Sequence, residues 1–152
     1  MLKNGVVTRE SILIDCAPSE SILSTAAYLA SKYVLVPVKP EFLATIGLPL
    51  LARSLDEFKQ SRSNHEIELA GIVFNDSDPQ HIRPEHNLSR QQVKLLAQKH
   101  GWKVFKNECR HSRSYAAGAR KGQSIFGTKH ARKAVKAEFR KVGDEFLARI
   151  GL

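Results

Sequence analysis

Cysteine is scarce in this chain: Cys16 and Cys109 are the only two in 152 residues. That excludes a disulfide framework and points to a reducing cytoplasm as the setting. Cys109-Arg110-His111 is a lone ligand pair with no second pair at metal spacing, so six histidines do not add up to a zinc site. No apolar run approaches the roughly 18 residues that span a bilayer, and Met1 to Glu10 lacks the apolar centre of a signal peptide. No Cys-His or Ser-His-Asp signature is present. Absent too is a Gly-x-x-x-x-Gly-Lys-Ser/Thr loop, so the chain has no backbone cradle of its own for nucleotide phosphates.

What is present fits one domain over residues 1–152. The length suffices to bury a core, and 42% hydrophobic with 26% charged residues is ordinary for a globular protein. The net charge of +9 is unevenly spread. Residues 1–79 hold 7 Lys and Arg against 10 Asp and Glu, a net of −3, whereas residues 80–152 hold 17 against 5, a net of +12. Basicity confined to one half favours a polyanion-facing surface there over a general solubility excess.

Apolar strand-like runs alternate with helix-length amphipathic stretches, the pattern of a mostly parallel sheet covered by helices. Strands are predicted at Ser11 to Asp15, Tyr33 to Val38, Leu69 to Phe74 and Trp102 to Phe105. Helices are predicted at Glu20 to Ser31, Phe42 to Gln60, Arg90 to His100 and Lys129 to Ile150. Ser89 with Gln92 reads as a capping box, Leu88 with Val93 as a staple, and Gly101 as the terminator. Pro37 marks where the second strand should leave the sheet, and Gly47 with Pro49 predicts a kink or break in the second helix. Residues 60–65 and 76–86 read as loose.

Ile12-Leu13-Ile14-Asp15 would deliver a carboxylate to a strand's C-terminal end, where α/β sheets place ligands. A hydrophobic strand closed by Asp is the physical form of a Walker B element, which holds Mg²⁺ beside a nucleotide; the plainer alternative is an acid favoured by a following helix N-terminus. Asn75 closes the third strand, where its amide suits either a base edge or an Asx turn. Arg110, Arg113, Arg120 and Lys121 concentrate charge in a predicted loop beside Tyr115, and guanidinium groups bind phosphate bidentately. On the last helix Val135, Phe139, Val142, Phe146 and Ile150 share one side, and Lys129, Lys133, Lys136 and Arg140 form a second stripe that could follow a DNA backbone.

Three strings, Ile-Asp-Cys-Ala-Pro-Ser at 14–19, Val-Pro-Val-Lys-Pro-Glu at 36–41 and Gly-Ile-Val at 71–73, taken in that order, resemble the second half of the ParA-type partition ATPases, the deviant-Walker relatives of MinD. The resemblance runs from Glu10 to about Ile150. It implies a P-loop NTPase-like three-layer α/β sandwich with a mostly parallel sheet of about four strands, truncated at the N-terminus ahead of Met1. It assigns Asp15 to Mg²⁺, directly or through water, Pro18 to the switch loop sensing the γ-phosphate, and Asn75 and Arg110 to the nucleotide. Ala17 replaces one family proline and Cys109 another, and Ala116, Ala117 and Gly118 stand where Glu-Ala-Pro is expected.

The parent function is Mg-ATP-dependent partitioning of plasmid or chromosome DNA, in which ATP-dependent dimers bind nonspecific DNA, with a ParB-like adaptor as a further partner and a nucleoid-associated location. Without the phosphate loop this chain is expected to bind ATP and Mg²⁺ weakly and not to hydrolyse ATP. It is also expected to self-associate through the outer edge of the Asp15 strand, or to join there a protein that supplies the missing N-terminal half. A stand-alone basic DNA-binding or regulatory module is the first alternative. The second is a MinD-like membrane-associated protein, disfavoured because Val135 to Ile150 is needed to cover the sheet.

Overall fold

A computed structural model of the protein describes residues 11–16, 21–62, 64–77, 83–129 and 131–152. The elements run α1 (Ile22–Ala30), β1 (Tyr33–Val38), α2 (Phe42–Ser61), β2 (Glu68–Phe74), α3 (Pro84–Lys99), α4 (Arg113–Ala119) and α5 (Lys133–Arg149). β1 and β2 pair in parallel, from Tyr33 opposite Glu68 to Val38 opposite Phe74. Both are short β-branched runs, and α2 is the crossover that a parallel pair requires.

The sheet is narrower than the four strands predicted. Residues 103–111 run along the other side of β2 in two touches: Ile72 bridges Val104, and Ser77 bridges Arg110, both parallel. The Ile72 N–H donates to the Lys103 carbonyl at 2.9 Å, and the Cys109 N–H to the Phe74 carbonyl at 2.9 Å. Between the touches the chain is drawn away, because Glu145 of α5 accepts from the N–H groups of Lys106 and Asn107.

Ser11 to Asp15, predicted as a strand, is irregular and exposed, with Ile12 88% and Leu13 81% accessible. The reason lies in the layers. On one sheet face α2 and α3 close a core around Val38, Leu48, Ile72, Phe74, Val93 and Ala97. α1 joins them through Tyr28, edge-on to Phe58 at 5.4 Å. On the other face α5 covers only Val73, Phe105 and Cys109, with Leu35 at its margin. A strand added beside β1 would therefore be covered on one face alone, and parallel strands persist only when both faces are buried.

Three local expectations are also corrected. Pro37 remains in β1, opposite Val73, because among the described residues the far edge of β1 is unpaired and an edge tolerates a missing N–H. α2 runs through Pro49 without interruption, which overturns the break expected there and leaves the kink as the alternative. α3 starts at Pro84, not Arg90, with proline in its first turn; Ser89 is therefore a mid-helix residue whose hydroxyl donates to Glu85 at 3.4 Å, and Leu88 is exposed.

A bulge at Val34/Leu35 leaves Ala70 without a partner in the register and turns its carbonyl toward α5. Gly71 beside it has φ +147°, and a Cβ there would lie 2.8 Å from the Lys103 carbonyl oxygen, so only glycine admits the neighbouring chain. Arg149 fastens this corner. It donates to the carbonyls of Ala70 and Val104 at 3.3 and 3.2 Å, pairs with Glu145 at 2.8 Å and lies 4.3 Å over the Phe105 ring.

Candidate functional site

The C-terminal ends of β1, β2 and the 103–111 segment lie together, and each hands over a polar residue there. Lys39 follows β1, its Nζ donating to Glu41 at 2.8 Å and to Asp76 at 3.1 Å. Asp76 follows β2 and meets His111 Nδ1 at 2.5 Å. Partial burial resists ionisation of Asp76, but hydrogen bonds from His111 and Lys39 outweigh it and hold the carboxyl below its ordinary range. The same two carboxylates raise Lys39 above its usual value. Asp76 sits at φ +51°, a left-handed conformation that aspartate tolerates better than most residues. Asn75, one residue earlier, is exposed at the same end of the sheet, its N–H donating to the Val38 carbonyl at 2.9 Å.

Arg110 stands beside this cluster but is engaged. Its Nε donates to both Glu138 oxygens at 2.8 and 2.7 Å, and its Nη2 also bonds Glu138. A nucleotide contact by Arg110 therefore requires exchanging Glu138 for the ligand. Asp15, expected at a strand end, is instead in the exposed irregular stretch, and Pro18 lies outside the described residues. Mg²⁺ takes near-octahedral oxygen ligation. One exposed carboxylate supplies a single ligand, and among the described residues no group of three or more His, Cys, Asp or Glu converges. Residues 17–20, which hold the switch loop assigned by the resemblance, lie outside the described residues.

The basic residues are brought together by an aromatic row that the sequence did not disclose. The segment around Tyr115, predicted as loop, forms α4, and Tyr115 packs on Phe139 of α5 at 6.1 Å, with Phe126 on the other side of Phe139 at 5.8 Å. Tyr115 is thereby committed to the fold, and Phe139 serves this row; it is 41% exposed, not part of the buried stripe. Lys136 Nζ donates to the Phe126 carbonyl at 2.9 Å, and the Arg140 guanidinium lies 5.2 Å over the Phe126 ring. Arg113 opens α4 and Lys133 opens α5; Arg120, Lys121 and Lys129 occupy the turns between them, and all five are exposed. Gly118 closes this turn: a Cβ there would fall 2.6 Å from Thr128 Oγ1 and 2.8 Å from the Gln123 carbonyl oxygen.

The family model for the AAA domain matches residues 8–69. The chromosome partitioning protein ParA of Caulobacter vibrioides is 34% identical over 94 residues, which are 62% of this chain and 33% of the relative. The chromosome-partitioning ATPase Soj of Treponema pallidum is 34% identical over 98 residues, 64% of this chain and 36% of its own. An uncharacterized protein of Methanocaldococcus jannaschii is 31% identical over 85 residues, 56% of this chain and 32% of the relative. The matched stretch spans about a third of the length of these curated relatives.

Proposed function

We propose that this chain, similar to ParA-type partition proteins over the part it spans, supplies the DNA-facing portion of such a protein and does not hydrolyse ATP unaided. The observation that carries this reading is the basic surface built on α4, the 120–129 turns and α5. Lys136 and Arg140 converge on Phe126, while Arg113, Arg120, Lys121, Lys129 and Lys133 remain exposed around them. Lysine and arginine so arranged bind a phosphate backbone without reading its bases. Asp15, Pro18, Asn75 and Arg110 contribute to a nucleotide site once a phosphate loop is supplied by another segment or chain, and the nucleotide then favours dimers on the nucleoid, with a ParB-like protein as adaptor.

The membrane reading has less support. Val142 is buried with Val73, Phe105 and Cys109, Phe146 packs against that cluster, and Val135 is buried too, so much of the apolar side of α5 is engaged in the fold. No helix among the described residues is long and apolar enough to cross a membrane.

The test is fluorescence anisotropy with random-sequence duplex. Binding should weaken steeply with salt, by roughly 0.9 in logarithmic slope per phosphate neutralised, and Lys129→Glu with Lys133→Glu should lower both affinity and slope. Binding that ignores salt, or survives those substitutions unchanged, would defeat the DNA reading.

A further inference from the structure

Two aromatic rings stand open within the basic surface. Phe126 is 42% and Phe139 41% exposed, and their centroids lie 5.8 Å apart at an angle of 66°. The turn that presents Phe126 is fixed. Ile125 beside it is buried, the Gly127 and Thr128 N–H groups donate to the Ser124 carbonyl at 3.1 and 3.2 Å, and Lys136 Nζ donates to the Phe126 carbonyl at 2.9 Å. Arg140 lies 5.2 Å over the Phe126 ring, and these exposures are what remains with the guanidinium in place. At about 100° per residue, Lys133, Lys136 and Arg140 share roughly 60° of arc on α5. The acid between them in sequence, Glu138, is turned to the other side and held by Arg110.

We propose, resting on the DNA reading of this surface, that it also takes an unpaired stretch of single-stranded DNA, one base stacking on the Phe126–Phe139 pair while Lys133, Lys136 and Arg140 meet the adjoining phosphates. Cations alone serve a duplex, whose bases are stacked on one another and offer no free face. Open rings among the cations suit a base that has left the stack. An apolar protein segment fits less well, because seating it on the rings would strip water from the three cations without supplying partners. A single strand supplies both, a π-face for the rings and a phosphate for each cation.

The test is fluorescence anisotropy with a labelled oligothymidine and, separately, a random-sequence duplex of equal length. Phe126→Leu, which keeps an apolar side chain under Arg140 but no π-face, should weaken oligothymidine binding about tenfold and duplex binding by no more than about twofold. Rising salt should release the duplex first, since stacking survives where charge is screened. Phe126→Trp should bind oligothymidine at least as well as the parent. Its added emission should be quenched by oligothymidine and not by inorganic polyphosphate or the duplex; the native Trp102, packed on the α2–α3 face, gives the constant background. Phe42→Leu, which removes the exposed ring of α2, should change neither affinity. An equal loss for both probes in Phe126→Leu would make the ring a mere prop for Arg140 and overturn the proposal, and so would a Phe126→Trp emission that oligothymidine leaves unmoved. A parent that binds the duplex and not oligothymidine defeats the single-strand site alone, whereas one that binds neither defeats the DNA reading itself.

Discussion

The two sides of β2 are built from similar residues and end up in opposite conditions. Toward α5, Val73, Phe105, Cys109 and Val142 close a core, and Glu145 and Arg149 tie two backbone segments, β2 and residues 104–107, to one helix. Toward the N-terminus, Ile12, Leu13, Ile22 and Leu23 are apolar yet exposed, and the outer edge of β1 has no pairing among the described residues. Apolar side chains alone do not make a core; a second layer must be present to meet them. The difference is one of partners rather than of composition, and it can be broken by experiment from either side.

The largest effect should come from the shared centre. Ile72 is wholly buried, and Ile72→Ala should cost about 2–5 kcal/mol through lost contacts and the cavity left behind, read from urea midpoints. Next is the fastening on the α5 side. Arg149→Met leaves Glu145 without its guanidinium and should cost roughly 2–3 kcal/mol, below the range for a fully buried pair. Combined with Glu145→Gln, the loss should fall short of the sum of the two, as expected when both belong to one network.

The same network gives a pH signature. Burial pushes the Glu145 carboxyl upward, but the Lys106 N–H, Arg149 and Asn107 outweigh it and lower it from 4.5 to about 2. Its folded value lies below its unfolded one, so the stabilisation is fully present above the unfolded value and is lost as pH falls toward about 2. Urea midpoints followed through that acid window should decline, and Glu145→Gln should flatten the decline. At the bottom of the scale stand Ile22→Gln and Leu23→Gln on the unpartnered side. They should change folding stability by no more than about 0.5 kcal/mol while improving solubility; a loss comparable to that at Ile72 would show that this side is covered after all.

How much was legible in the sequence follows from how local each signal is. β1 and β2 were readable because short β-branched runs between helix-length stretches have few other uses, and the family kinship was readable from three strings. α4 was missed because Arg113 to Ala119 has no apolar period and is held by Tyr115 reaching Phe139, 24 positions away. The start of α3 was misplaced because Ser89 and Gln92 satisfy a capping pattern that Pro84 pre-empts. Ser11 to Asp15 has the composition of a strand, but strandhood depends on neighbours and cover that no local string encodes. The Lys39, Asp76 and His111 cluster joins residues 35 or more positions apart; its one local trace was an aspartate just after a strand, where left-handed backbone is tolerated.

Pro37 bears on what the chain can become at high concentration. A strand that adds to the bare side of β1 meets, at Pro37, a position that can accept a hydrogen bond but has no hydrogen to give. Successive copies cannot stack along it as an endless ribbon, so growth from that rim is halted by one ring, and the protein is steered away from fibres toward assemblies of limited size.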